Sequence, residues 1–128
     1  MKILIVEDCE INALVVTGFL RKYNPAVEID YAVNGKDGVS MAMRCDYDII
    51  LMDINMPGMD GITATRHIKK NKPSQLIVAV TAVGMDHLEE KNALSTFDQI
   101  LMKPLNHKLF IKTLDSMLIP ADSQAYLE

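Results

Sequence analysis

Cysteine is scarce in this chain. Two residues in 128, Cys9 and Cys45, cannot build the disulfide framework of a small secreted domain. Both read as reduced thiols of a cytoplasmic protein. Long apolar runs are absent too, and none approaches the roughly 20 residues that a bilayer-spanning helix needs. The opening Met-Lys-Ile-Leu-Ile-Val-Glu is too short an apolar stretch, and meets an acid too early, to be a secretory signal. Positive charge is not in surplus. Lys and Arg total 13 against 17 Asp and Glu, for a net charge of −4, which argues against a nucleic-acid surface. His67, His87 and His107 form no metal-ligand spacing with one another and read as solvated helix residues. No repeat or linker is visible. What is present is ordinary for a globule: 49% hydrophobic and 23% charged residues. A chain of this length is one domain that buries roughly two thirds of its unfolded surface.

Short apolar runs alternate with helical patterns. Lys2-Ile-Leu-Ile-Val6 reads as a buried strand. Ile11, Leu14, Val15 and Phe19 then recur at near-helical spacing up to Tyr23, before a turn at Asn24-Pro25. Val27 to Tyr31 alternates as a second strand. Asn34 can cap a helix running to about Arg44. Asp48-Ile-Ile-Leu-Met52 is a third strand. Asp60 can cap a helix that Lys72-Pro73 ends. Leu76-Ile-Val-Ala-Val80 is a fourth strand. Gly84 to Leu94 is a weakly apolar helix, and so a plausible mobile output element. Gln99 to Met102 is a fifth strand, and Asn106 can cap a last helix that Pro120 stops. This (βα)₅ pattern predicts a parallel sheet with helices on both faces. Met56 and Met59, around Pro57-Gly58, offer an adaptable contact surface.

The polar residues at the ends of these strands carry the chemistry. Glu7 and Asp8 follow the first, and Asp53 follows the third. In a parallel sheet the carboxyl ends share one edge, where α/β proteins bind ligands. Two unit charges about 4 Å apart repel by roughly 4 kcal/mol at an effective dielectric of 20. A cluster of three acids must therefore hold a cation, hold a proton or be strained. Mg²⁺ or Mn²⁺, hard cations with a preference for oxygen, suit it best. Thr81 ends the fourth strand. Lys103, followed by Pro104, ends the fifth. An acid pair, an acid, a hydroxyl and an ammonium at one edge make a phosphoryl-transfer set.

With these motifs in this order, the chain resembles the receiver domain of response regulators in two-component signalling. The motifs are Glu7-Asp8, the block Asp53-Ile-Asn-Met-Pro-Gly-Met-Asp-Gly61, Thr81-Ala82 and Lys103-Pro104. The resemblance runs from Lys2 to about Ile119, which makes 1–119 the receiver domain and 120–128 a tail. It implies a flavodoxin-like three-layer fold with strand order 2-1-3-4-5. It implies that Asp53 accepts a phosphoryl group from a phosphohistidine on a histidine kinase or histidine phosphotransfer protein. Asp8 would bind Mg²⁺ directly, Glu7 directly or through water, and Asn55 through its backbone carbonyl. Thr81 would donate to a phosphoryl oxygen, and Lys103 would pair with the phosphorylated carboxylate. A small residue at Ala82 would leave room for the phosphoryl group. The Lys103–Pro104 bond is expected to be cis.

One position departs from the family. Ile100 stands where a tyrosine or phenylalanine is usual, three residues before the lysine. Val83 and Asn55 would flank the phosphoryl group, and Val83 offers nothing to orient water. The output surface is expected on the last two helices and fifth strand, with His87, Glu90, Lys91, Gln99, Lys108 and Lys112 as contacts to a downstream protein or to attached kinase domains. The tail is too short for a DNA-binding module. A haloacid-dehalogenase-like phosphatase would need a second acid where Asn55 stands. A flavodoxin-like nucleotide binder would need a phosphate-cradling loop, where this chain has Glu-Asp-Cys-Glu. The remaining alternative is a receiver-fold docking module that works without phosphorylation.

Overall fold

A computed structural model describes residues 1–82, 84–90 and 93–119, and in Met85, His87 and Glu90 the backbone only. Val83, Lys91 and the expected tail, 120–128, therefore lie outside the described residues, as do the side chains of His87 and Glu90. The order of elements is β1 (Lys2–Val6), α1 (Glu10–Tyr23), β2 (Glu28–Ala32), α2 (Gly35–Arg44), β3 (Ile49–Met52), α3 (Gly61–Asn71), β4 (Ile77–Thr81), α4 (Met85–Glu90), β5 (Gln99–Met102) and α5 (His107–Leu118). All strands pair in parallel, in the order β2-β1-β3-β4-β5. The (βα)₅ alternation and the strand order are as expected. The helix expected over Gly84 to Leu94 does not reach Leu94, since Leu94 to Thr96 form a turn.

The core follows from the two-residue period of a strand. Leu4, Val6, Ile50, Met52, Ile77 and Ala79 face one side, where they meet Ala42 of α2, Ile62 and Ile68 of α3, and Leu88 of α4. Ile3, Ile5, Ile49, Leu51, Val78 and Val80 face the other, against Ala13, Val16 and Leu20 of α1 and Phe110 and Leu114 of α5. Both faces of β1, β3 and β4 are thus covered, which is why those strands read as continuous apolar runs. Each buried Val, Leu, Ile, Met or Phe side chain among them contributes about 1.5–3 kcal/mol relative to exposure. The helices start where caps were expected. Asn34 Oδ1 accepts from the Asp37 amide at 2.7 Å, Asp60 Oδ1 from Thr63 at 2.8 Å and Asn106 Oδ1 from Leu109 at 2.9 Å.

The buried face of α1 is not the one its apolar spacing suggested. Ala13, Val16 and Leu20 are buried, whereas Ile11, Leu14 and Val15 are 71%, 64% and 50% exposed. The connection from β1 to α1 is only Glu7 to Cys9. A link this short fixes the rotational phase of the helix, and the phase chosen points a second apolar stripe at solvent. Met56 is also a correction. It is buried, and Met59 packs against the same core, so neither is the free contact surface expected of the loop.

Gly18 sits on the exposed side of α1, and a Cβ there would meet nothing within 4 Å. Gly18→Ala should therefore raise the unfolding free energy by about 0.5–1 kcal/mol through helix propensity alone. Urea denaturation measures this, and a loss of stability would show that α1 is packed differently.

Candidate functional site

The β-ladder delivers the site. Main-chain bonding continues one residue past three strand ends: Glu7 N–H donates to Ala32 O at 3.0 Å, Asp53 N–H to Val6 O at 2.9 Å and Lys103 N–H to Thr81 O at 2.8 Å. Glu7, Asp53 and Lys103 are therefore held at one edge by sheet hydrogen bonds, not by loop conformation. This edge includes the gap between β1 and β3, where the strand order reverses and where open α/β sheets bind ligands.

Glu7, Asp8 and Asp53 converge there. Each offers a carboxylate oxygen, and these oxygens all lie within 4.8 Å of one another. Glu7 and Asp53 are buried, at 3% and 7% exposure, while Asp8 is exposed. Lys103 is the cation that faces them. Its Nζ lies 3.2 Å from Glu7 Oε2 and 3.9 Å from Asp53 Oδ2. In this state the lysine therefore serves Glu7 more closely than the residue expected to be modified. Thr81, fully buried, ends β4 beside it. The Lys103–Pro104 bond is cis, as expected. Asn55 lies two residues beyond Asp53 in the loop with its side chain exposed. Phe97 is buried, and Ile100 packs against the same core cluster. Gln99, Lys108 and Lys112 are exposed on β5 and α5.

Four further residues shape the site, and none of them was assigned a role there from the sequence. Asn12, in the first turn of α1, donates to Glu7 Oε1 at 3.3 Å. The Cys9 amide donates to the same oxygen at 3.2 Å. Tyr31, from β2, donates its hydroxyl to the Glu7 main-chain carbonyl at 2.8 Å. Gly61 opens α3 directly against Asp53: a Cβ there would fall 2.0 Å from the Asp53 carbonyl oxygen. The helical position of Asn12 after the acid pair was a usable signal. Tyr31 lies 24 residues from its partner and gave none.

The electrostatics are those of a site where three acids face one nearby lysine, Lys103. Burial, and then the negative charge of Glu7, push the Asp53 carboxyl from its ordinary 3.8 up to about 7, against the opposing pull of Lys103. A proton or a metal can relieve that crowding, and the chemistry of the donor set, three carboxylates with hard oxygens, fits a small divalent cation.

Two pH dependences follow from the raised value. The folded state holds the Asp53 proton more tightly than the unfolded state does. Its contribution to the stability of the metal-free protein is thus fully present below about pH 3.8 and is lost as pH rises through about 7. Metal affinity should run the opposite way, weakening as pH falls below about 7 because protons compete for the same carboxylate. Calorimetric Mg²⁺ titrations between pH 6 and 8 check this, and a pH-independent affinity would contradict the raised value.

Comparison with known proteins agrees with this geometry. The family model described as response regulator receiver domain matches residues 3–115. Hybrid signal transduction histidine kinase G of Dictyostelium discoideum is 42% identical over 111 residues, spanning 84% of this chain and 3% of that protein. The autoinducer 2 sensor kinase/phosphatase LuxQ of Vibrio cholerae is 31% identical over 116 residues, spanning 90% of this chain and 13% of that protein. The chain thus spans a small part of those relatives. Among solved structures, the receiver domain of the sensor histidine kinase PA1611 from Pseudomonas aeruginosa PAO1, with a magnesium ion coordinated in its active-site cleft, has a TM-score of 0.82 at 32% identity. That alignment covers 91% of this chain and 96% of the other. The response regulator TrrA of Thermotoga maritima, in complex with Mg²⁺ and BeF, has a TM-score of 0.82 at 26% identity, covering 91% of this chain and 98% of that one. The chain belongs to the response regulator receiver domains, the signalling domains of two-component systems.

Proposed function

We propose that Asp53 is the phosphoacceptor of this receiver and that Glu7, Asp8, Asp53 and the Asn55 carbonyl hold the metal. The observation that carries the reading is the convergence of the Glu7 and Asp8 carboxylates on Asp53, with Lys103 facing them. A carboxylate oxygen of Asp53 attacks the phosphorus of a partner's phosphohistidine. The new O–P bond forms as the P–N bond breaks, and the electron pair returns to the imidazole nitrogen, which takes up a proton. Bound Mg²⁺, or Mn²⁺ in its place, supplies the positive charge that lets two anions meet. Thr81 donates to a phosphoryl oxygen at the end of β4. Lys103 moves its ammonium from Glu7 toward the modified side chain, which sits within reach at 3.9 Å already.

The receiver domain comprises 1–119, with 120–128 as a tail. It catalyses its own phosphorylation and dephosphorylation and no other turnover. The protein works in the cytoplasm, and none of its described helices is long and apolar enough to cross a membrane. Its phosphodonor is a histidine kinase or a histidine phosphotransfer protein. A groove of about 510 Å³, lined by Val15, Phe19, Ala82, Lys103 and Leu105, joins the exposed apolar stripe of α1 to the site and supports docking of that partner. The recipient of the signal is a protein, either a separate target or kinase domains on the same chain. Gln99, Lys108 and Lys112 are exposed where such a contact would form. The net charge of −4 supports a protein rather than a nucleic acid in that role.

Incubation with Mg²⁺ and a small phosphodonor, followed by intact mass measurement, tests the assignment. The unaltered protein should gain one phosphoryl group, and Asp53→Asn should gain none. No gain on the unaltered protein, or an equal gain on the variant, would overturn it.

A further inference from the structure

We propose that Tyr31 is a positioning residue of the metal site, acting through the backbone of the acid pair. The inference rests on the metal reading above and goes beyond it to a residue outside the acid cluster. β1 ends at Val6, which pairs with Ala32, the last residue of β2. One more ladder bond follows, from Glu7 N–H to Ala32 O at 3.0 Å. Beyond it β2 stops, because Asn34 turns the chain into the cap of α2. The strand ladder thus secures the Glu7 amide but runs out at the Glu7 carbonyl. Tyr31 fills that place. It pairs with Ile5 in the register, and its side chain runs along the sheet edge until the hydroxyl donates to Glu7 O at 2.8 Å.

The bonded carbonyl belongs to the peptide joining Glu7 to Asp8. Fixing its plane fixes the direction in which Asp8 leaves the strand. Asp8 is exposed, so its placement depends on the peptide that carries it more than on side-chain packing. The Glu7 carboxylate needs no such help, because Cys9 N–H, Asn12 Nδ2 and Lys103 Nζ already hold it. Tyr31 therefore orients the acid pair's peptide, while those three donors orient the carboxylate. A phenylalanine would occupy the same volume but lack the donor.

Tyr31→Phe isolates the hydroxyl, and Tyr47→Phe serves as a matched control. Tyr47 also loses one phenol hydrogen bond, to Asp30 Oδ2 at 2.7 Å, but stands between α2 and β3, away from the acid pair. Mg²⁺ is titrated into each protein and followed by backbone amide spectra, with thermal melts alongside. Tyr31→Phe should weaken Mg²⁺ binding about 3- to 10-fold, the worth of one ordinary hydrogen bond, and shift the amide signals of Asp8 and Cys9. Tyr47→Phe should lower the melting temperature and leave Mg²⁺ affinity unchanged. Tyr31→Phe binding within about 2-fold of the unaltered protein, with those amide signals unmoved, would overturn the inference while leaving the metal site standing. Equal weakening in both variants would overturn it as well, by showing a general loss of stability. Absence of Mg²⁺ binding in the unaltered protein would remove the metal reading and this inference together.

Discussion

Like charges held together at one sheet edge are the constraint on which the rest depends. Elsewhere in the described residues several acids have partners. Asp98 takes Lys69 at 2.6 Å and the Ile77 amide at 2.8 Å, Asp46 takes Lys72 at 3.0 Å, and Asp30 takes the Tyr47 hydroxyl at 2.7 Å. At the carboxyl edge the pattern inverts. Three acids crowd within 4.8 Å, and Lys103 is the cation that faces them. Their mutual repulsion would be relieved at once if the side chains turned away, as free side chains in loops do. They do not turn away: the sheet ladder holds the main chains of Glu7 and Asp53, and Cys9 N–H, Asn12 Nδ2 and Lys103 Nζ hold the Glu7 carboxylate. The fold thus stores an affinity for positive charge.

The same constraint explains small features of the surroundings. Gly61 lets the first turn of α3 lie against the Asp53 peptide, and its amide donates to Ile54 O at 2.8 Å. Lys103 sits closer to Glu7 than to Asp53, so it offsets the charge of Glu7 more than that of Asp53. A group poised in this way responds strongly to a small change in charge. On the function proposed above, a metal and then a phosphoryl group change that charge, and Thr81 and Lys103 answer it. Ile100, at the usual aromatic position, packs against the core cluster that holds Leu88, Ala93 and Phe97.

Much of this was legible in the chain. Strands β1, β3 and β4 are buried on both faces, so their runs were continuous and their ends were marked by polar residues. The caps Asn34, Asp60 and Asn106 announced their helices by local chemistry. The acid pair, Asp53, Thr81 and Lys103 were readable because each stands at a strand end. The buried face of α1 was not readable. Ile11, Leu14, Val15 and Phe19 have the same period as Ala13, Val16 and Leu20, and only the length of the β1–α1 link selects between the two stripes. Met56 looked like a loop residue by sequence position, but the chain turns it inward. Tyr31 bonds a backbone atom 24 residues away, and no pattern in the local sequence encodes such a contact. The strand order came from family resemblance, since alternation alone leaves several orders open.

Unfolding by urea at pH 8, with and without Mg²⁺, tests the stored charge most directly. A cation that binds only the folded site stabilises it by RT ln(1 + [L]/Kd), about 2.7 kcal/mol at a hundredfold excess over Kd. The protein should grow steadily more stable with Mg²⁺, and potassium at matched ionic strength should not reproduce the gain. A denaturation midpoint indifferent to Mg²⁺ would mean that the three carboxylates share no ion, and the central claim would be wrong.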